Sequence, residues 1–206
     1  MIKQSLLVIG LTILLPCATR AGGQAQLASS ILEARGETIR TSDQLKATLS
    51  TLTALTKQKE GDLRPAFNNF SAEIPRTEAA ADSTRTRARW MSSDGLKYFA
   101  DWQNTINGIA NTSLQKKAQK RLDKVKASYD KVEASLQTAG EKFNPFLSDL
   151  KDIQKILSTD VTAGGVKAIK GTVRSANWNH QYVDKAIKSA TKEMDKMEKA
   201  LSSQAS

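Results

Sequence analysis

Along almost the whole chain, apolar residues recur at alternating spacings of three and four. The longest unbroken run of this kind starts near residue 118: Leu122, Val125, Tyr129, Val132, Leu136, Ala139, Phe143, Phe146, Leu150, Ile153 and Leu157. A mean spacing near 3.5 places these side chains on one stripe, which predicts a helix over residues 112–159 packed along its whole length. Asn111, Thr112 and Ser113 just ahead of it offer N-cap chemistry. Pro145 lies off the seam, and its missing N–H and its ring predict a bend near Glu141 rather than an end, because the seam keeps its phase on both sides.

Thr162-Ala163-Gly164-Gly165 interrupts the pattern, which restarts with Val166, Ile169, Val173, Ala176, His180, Val183, Ile187, Ala190, Met194, Met197 and Leu201. This predicts a second long helix, 164–202, joined to the first by a tight turn and therefore antiparallel to it. The first half follows the same rule with a seam diluted by Thr. Leu27, Ile31, Ala34, Thr38, Thr41, Leu45, Thr48, Leu52 and Leu55 predict a helix over 24–59. Asp62 then reads as an N-cap. It opens a helix over 62–109 along Leu63, Phe67, Phe70, Ile74, Thr77, Ala81, Thr84, Ala88, Met91, Gly95, Tyr98, Trp102, Thr105 and Ile109. This phase passes through Pro75, so one bent helix is expected, and its small middle, 77–95, would admit a partner helix closely. The expected fold is all-α: an elongated, coiled-coil-like antiparallel four-helix bundle. A seam does not name its partner, so a homo-oligomeric coiled coil is the alternative use of the same faces. No strand pattern and no fixed-length repeat competes.

Composition fits one helical domain: 206 residues, 39% hydrophobic and 5% aromatic, with one Cys and one His. A single Cys makes no internal disulfide, and a single His removes most constellations used for acid–base or metal chemistry. No enzyme, metal site or cofactor is therefore expected. The formal net charge is +10, with 31 Lys and Arg against 21 Asp and Glu. Such a balance draws the chain toward polyanions, anionic headgroups or acidic proteins without naming one.

The first residues read as an address. Lys3 precedes an apolar run over 5–15 broken by Gly10 and Thr12, too short to span a bilayer, and Thr19 and Ala21 form a small-residue cleavage site. Residues 1–21 are thus expected to be a signal peptide, with Gly22 and Gly23 extended for the peptidase and a single mature domain over 22–206 exported to the periplasm. Leu14-Leu15-Pro16-Cys17 offers the rival reading, a lipobox with Cys17 acylated, although Pro16 stands where that motif wants Ala, Gly or Ser. No second apolar stretch follows, so no transmembrane span is expected once the signal is removed.

Tyr98-Phe99-Ala100-Asp101-Trp102, then Ile106, Asn111-Thr112-Ser113-Leu114 and Leu122, resemble a family of secreted bacterial proteins known as domain of unknown function 2959. Gly61-Asp62-Leu63 opening a long helix, Phe143-Asn144-Pro145-Phe146-Leu147 and the final heptad helix fall where that family has comparable features. The resemblance covers most of the mature chain and implies a mostly helical envelope protein with no established activity. The chain departs from many relatives in being basic and rich in Thr.

Among candidate sites, Lys116, Lys117, Lys120, Arg121, Lys124 and Lys126 gather six positive charges within eleven residues, opposed only by Asp123. They form either a solvated helix face or a dock for phosphate-bearing lipid, polysaccharide or nucleic acid. Aromatic residues for base stacking are missing there, which argues against nucleic acid. His180, on the seam, reads as a buried polar residue that sets register by hydrogen-bonding a neighbour, with a pH switch or lone metal ligand as the functional alternative. Trp102 and Trp178 are expected to fill the bundle. Glu73, Glu78, Asp82, Asp94 and Asp101 are expected to pair with Lys and Arg. The sequence thus points to an exported, non-enzymatic protein that works by contact or scaffolding with an unknown envelope protein. The alternative is a peripheral binder of anionic lipid or polysaccharide.

Overall fold

In the computed structural model, residues 17–58 and 60–202 are described, with side chains from Gly22 onward. The expected leader run and the side chain of Cys17 lie outside the described residues. Five helices follow in order: α1 (Cys17–Lys57), α2 (Arg64–Asn107), α3 (Thr112–Thr159), α4 (Ala163–Ala168) and α5 (Lys170–Ser202). The described residues hold no strand. α1 packs on α2 and α3 on α5, and the two pairs join through α2 with α3 and α1 with α5. The result is the expected up-down-up-down bundle, and α3 alone, with 48 residues, spans about 70 Å at ~1.5 Å per residue.

The seams become the core. On α1, every expected seam position from Leu27 to Leu55 is buried. Of the seam on α3, only Leu136 stays partly exposed. On α2, the last turns depart from expectation: Phe99 and Ile106 are buried, Thr105 is exposed, and Ile109 lies beyond the helix end. The stripe of a straight helix drifts against a strict heptad, and over 44 residues the drift moves the buried face by one position.

Burial falls into two separate cores. The one nearer the α1–α2 turn centres on Leu45, Leu52, Phe70, Phe146, Leu150 and Ile153. The other centres on Leu27, Ile31, Tyr98, Trp102, Leu122 and Met194. Each fully buried Leu, Ile or Phe contributes roughly 1.5–3 kcal/mol relative to exposure. At the second pole, the Gln24 side-chain amide donates to the Leu201 carbonyl at 2.7 Å, so the start of the described bundle and its end meet there.

Three helix boundaries differ from expectation. α1 runs through Gly22 and Gly23, expected to be extended, because a continuous helical ladder overrides a penalty of about 1 kcal/mol per Gly. Leu63, not Asp62, is the N-cap of α2. Pro65 sets the first turn, and the Asp62 carboxylate instead accepts from the Arg64 N–H at 3.0 Å. Gly61 makes the preceding turn at φ 86°, where an L side chain would be strained.

The last expected helix is divided into α4 and α5 at Ile169. Thr162 caps α4, its hydroxyl accepting from the Gly165 N–H at 3.3 Å. Any side chain at Gly165 would collide with the Asp160 carbonyl, so the chain turns within a space only Gly allows. Asn111 caps α3 as expected, accepting from the N–H groups of Ser113 at 3.0 Å and Leu114 at 3.1 Å. α2 and α3 continue past Pro75 and Pro145. Both prolines are exposed, which leaves the carbonyls that lose a partner on the solvent side.

Candidate functional site

The basic cluster lies on the first turns of α3, near the pole where α1 begins. Lys116, Lys117, Lys120, Arg121, Lys124 and Lys126 are all exposed. Lys126 pairs with Asp130 at 2.8 Å. Asp123, the opposing charge, accepts from the Gln119 amide at 2.9 Å and engages no cation among the described residues. Leu114, 56% exposed, sits beside this patch.

The aromatic expectations divide. Trp102 is buried as expected and packs on Tyr98 with ring centroids 5.6 Å apart. Trp178 does not fill the bundle: it is 61% exposed and stacks on Tyr182, itself 50% exposed, at 6.0 Å and 23°. The physical reason is phase. Two residues past the buried Ala176 is about 200° around a helix, so the large apolar side chain is carried to the outer surface whatever its affinity for the core. One turn before Trp178 and nearly one turn after Tyr182, Arg174 and Lys185 are exposed along the same helix.

His180 is half-buried, with its ring 5.8 Å from that of Phe146. No hydrogen bond to a neighbour holds it among the described residues, contrary to expectation, because the side it faces is an aromatic ring. Burial lowers its pKa below the usual imidazole value; Asp184 opposes the shift, and Lys46 and Lys188 add to it.

Four of the five expected carboxylates do pair with cations. Glu73 meets Arg76 at 2.6 Å, Glu78 meets Lys151 at 2.5 Å, Asp82 meets Arg85 at 2.6 Å, and Asp101 meets Lys97 at 3.6 Å. Asp94 instead accepts from the Ser30 hydroxyl and the Gln26 amide, since α1 presents these to it rather than a cation. Among the described residues, no three His, Cys, Asp or Glu side chains gather as a metal site would require. No described helix is long and apolar enough to cross a membrane.

The small middle of α2 behaves in two ways. At Gly95, close approach is realised: the Tyr129 ring from α3 fills the place of a Cβ, and its hydroxyl donates to the Met91 carbonyl at 3.0 Å. Burial, followed by the charge of Glu133, raises the Tyr129 pKa far above the usual phenol value. Around Ala81 and Ala88, by contrast, no partner closes in. A cavity of about 380 Å³ remains between the two cores, with Arg85, Arg89 and Gln137 among its lining residues. The periodicity marked these α2 positions as small, but whether a partner fills the space depends on the facing residues Ala139 and Gly140, which only the packing brings opposite them.

The architecture defines an all-α antiparallel helical bundle whose distinguishing surfaces are a basic helix face, an exposed aromatic pair and a hollow waist. The chain belongs to the family described as protein of unknown function (DUF2959), which it matches over residues 23–202, in agreement with the resemblance at Tyr98–Trp102. No curated protein matches it.

Proposed function

We propose that this is an exported, non-enzymatic protein of the cell envelope that acts by contact or scaffolding. The observation that supports this is the Trp178–Tyr182 stack, two large rings held on the outer surface of a rigid rod and not consumed by the fold. Ordered aromatic surface of this kind is characteristic of recognition sites, because it offers large contact area at low entropic cost. The test is photocrosslinking in the native host from benzoylphenylalanine at position 182. A discrete crosslinked partner that disappears with Trp178→Ala is expected. Labelling no stronger than from position 138 would refute the reading. Export is tested by intact mass of the protein from that host: a chain starting near Gly22 or an acylated Cys17 supports it, and an unprocessed chain overturns it.

The second reading, a peripheral binder of anionic lipid or polysaccharide, is favoured by the charge at one pole. Residues 116–131 hold seven Lys and Arg against two Asp, and only Lys126 among the six clustered cations has an ion-pair partner among the described residues. Binding to vesicles rich in phosphatidylglycerol should then fall steeply with salt and with Lys→Gln at 116, 117, 120 and 124. Salt-insensitive binding, or none, would reject it.

A further inference from the structure

The hollow waist has a chemistry of its own. Its walls come from all four long helices, and the residues that would have to fill it are small: Ala81 and Ala88 on α2, Ala139 and Gly140 on α3. The hydroxyls in the wall are already engaged. Thr38 donates to the Ala34 carbonyl at 2.7 Å, and Thr41 donates to the Ala80 carbonyl at 2.9 Å while lying 2.9 Å from the Thr84 hydroxyl. The surface left facing the space is therefore mostly apolar, from Thr and Ala methyls, Leu136, Val183, Ile187 and the Phe143 ring, with the polar groups toward the opening. A water needs two to four polar partners to be held, and a space lined in this way favours hydrocarbon instead. At about 380 Å³ the cavity is about two and a half times the size of the ~150 Å³ apolar cavity that takes up benzene.

The opening lies between α2 and α3, where the exposed lining residues stand, and it is charged. Arg85 and Arg89, one turn apart on α2, face Glu133 and Gln137 on α3. Asp82 engages Arg85, whose guanidinium lies 5.7 Å from the Phe143 ring centroid. Glu133 lies 3.1 Å from the Tyr129 hydroxyl. Among the described residues Arg89 has no carboxylate partner and Glu133 no cation partner, so each side of the mouth holds one charged group outside any ion pair, the guanidinium on α2 and the carboxylate on α3.

We propose that this cavity binds a single-chain anionic amphiphile, with its hydrocarbon chain in the waist and its carboxylate or phosphate head on Arg89, supported by Arg85. The head is placed on the α2 side of the mouth, where Arg89 is outside any ion pair, and away from Glu133, which the Tyr129 hydroxyl holds on the α3 side. The proposal stands on the cavity alone and holds whether or not the Trp178–Tyr182 surface meets a protein partner.

The test is fluorescence titration of the purified full chain with 11-(dansylamino)undecanoate. Saturable 1:1 enhancement is expected, displaced by palmitate or by palmitoyl lysophosphatidate, whichever head fits, and at least tenfold more weakly by neutral monopalmitin. Ala88→Leu should fill the space and weaken binding at least tenfold without lowering Tm. Gly140→Leu tests the same point from α3, where an added Cβ meets nothing within 4 Å. Arg85→Gln with Arg89→Gln should weaken the anionic probe tenfold and leave monopalmitin binding unchanged, and Lys116→Gln should change neither. Absence of saturable binding, equal displacement by monopalmitin, or indifference to both filling variants would overturn the proposal.

Discussion

Replacing Gly95 by Ala sets two effects of opposite sign against each other. In an exposed helix the exchange would stabilise by about 1 kcal/mol, because Gly carries the larger conformational entropy. In this bundle the new methyl overlaps Cζ and the hydroxyl of Tyr129 and comes within 2.9 Å of Cε1. The ring must move, at an overpacking cost of about 1–3 kcal/mol. Moving it also breaks the hydrogen bond to the Met91 carbonyl, which costs a further ~1 kcal/mol, with Glu133 left as the hydroxyl's partner. The net expectation is destabilisation by about 2 kcal/mol, or a fall in Tm of about 4–8 °C for a chain of this size. With Tyr129→Ala already present, the obstacle is gone and the same Gly95→Ala change should raise stability, giving a coupling of about 3 kcal/mol in a double-mutant cycle. Thermal and urea unfolding followed by circular dichroism would measure all four proteins. If Gly95→Ala is neutral alone, or costs the same in both backgrounds, the close contact between α2 and α3 at this point is wrong.

Three further outcomes are expected. Thr48 and Thr77 share a buried hydroxyl contact at 2.7 Å, and Thr48 also donates to the Gln44 carbonyl; Thr48→Val should therefore orphan the Thr77 hydroxyl at a cost of about 1–2 kcal/mol, most of which Thr77→Val in the same chain recovers, as urea unfolding would show. His180 has a lowered pKa in the folded chain, so the unfolded chain binds its proton more readily and the stability it supports is complete above about pH 6.5 and lost as the pH falls toward the folded value; Tm curves of the protein and His180→Gln should converge between pH 7.5 and 5, and parallel curves would contradict this. In single-Trp variants, iodide should quench Trp178 strongly and Trp102 hardly at all, given exposures of 61% and 2%.

The long-range order of the fold is legible because one physical rule repeats: an apolar side chain every three or four residues must be buried, and short turns force neighbouring helices to run antiparallel. That rule finds the Leu27–Leu55 seam even where Thr dilutes it, since Thr38 and Thr48 satisfy their hydroxyls on the preceding helical turn and can enter the core. It fails where the answer depends on what stands opposite. Trp178 is apolar enough for the core but lies out of phase with it, and composition misleads where periodicity would have corrected it. The close approach of the Gly165 backbone to the Asp160 carbonyl, where no side chain would fit, is likewise something that hydropathy does not register. Arg85 and Arg89 look like ordinary solvated cations until packing places them at the rim of a void, a pattern that forms only when three other helices contribute small or branched side chains at the same level.

The bond from Gln24 to the Leu201 carbonyl closes the bundle on itself. Because the first and last long helices meet at one pole, a short linker from Ser202 to Gly22 and a new start within the turn at Gly61 would yield a circular permutant with its helical register intact. The geometry also makes the rod a spacer: any tether attached ahead of α1 would hold the Arg64 turn about 60–70 Å away from the attachment surface, given ~1.5 Å of rise per residue in α2.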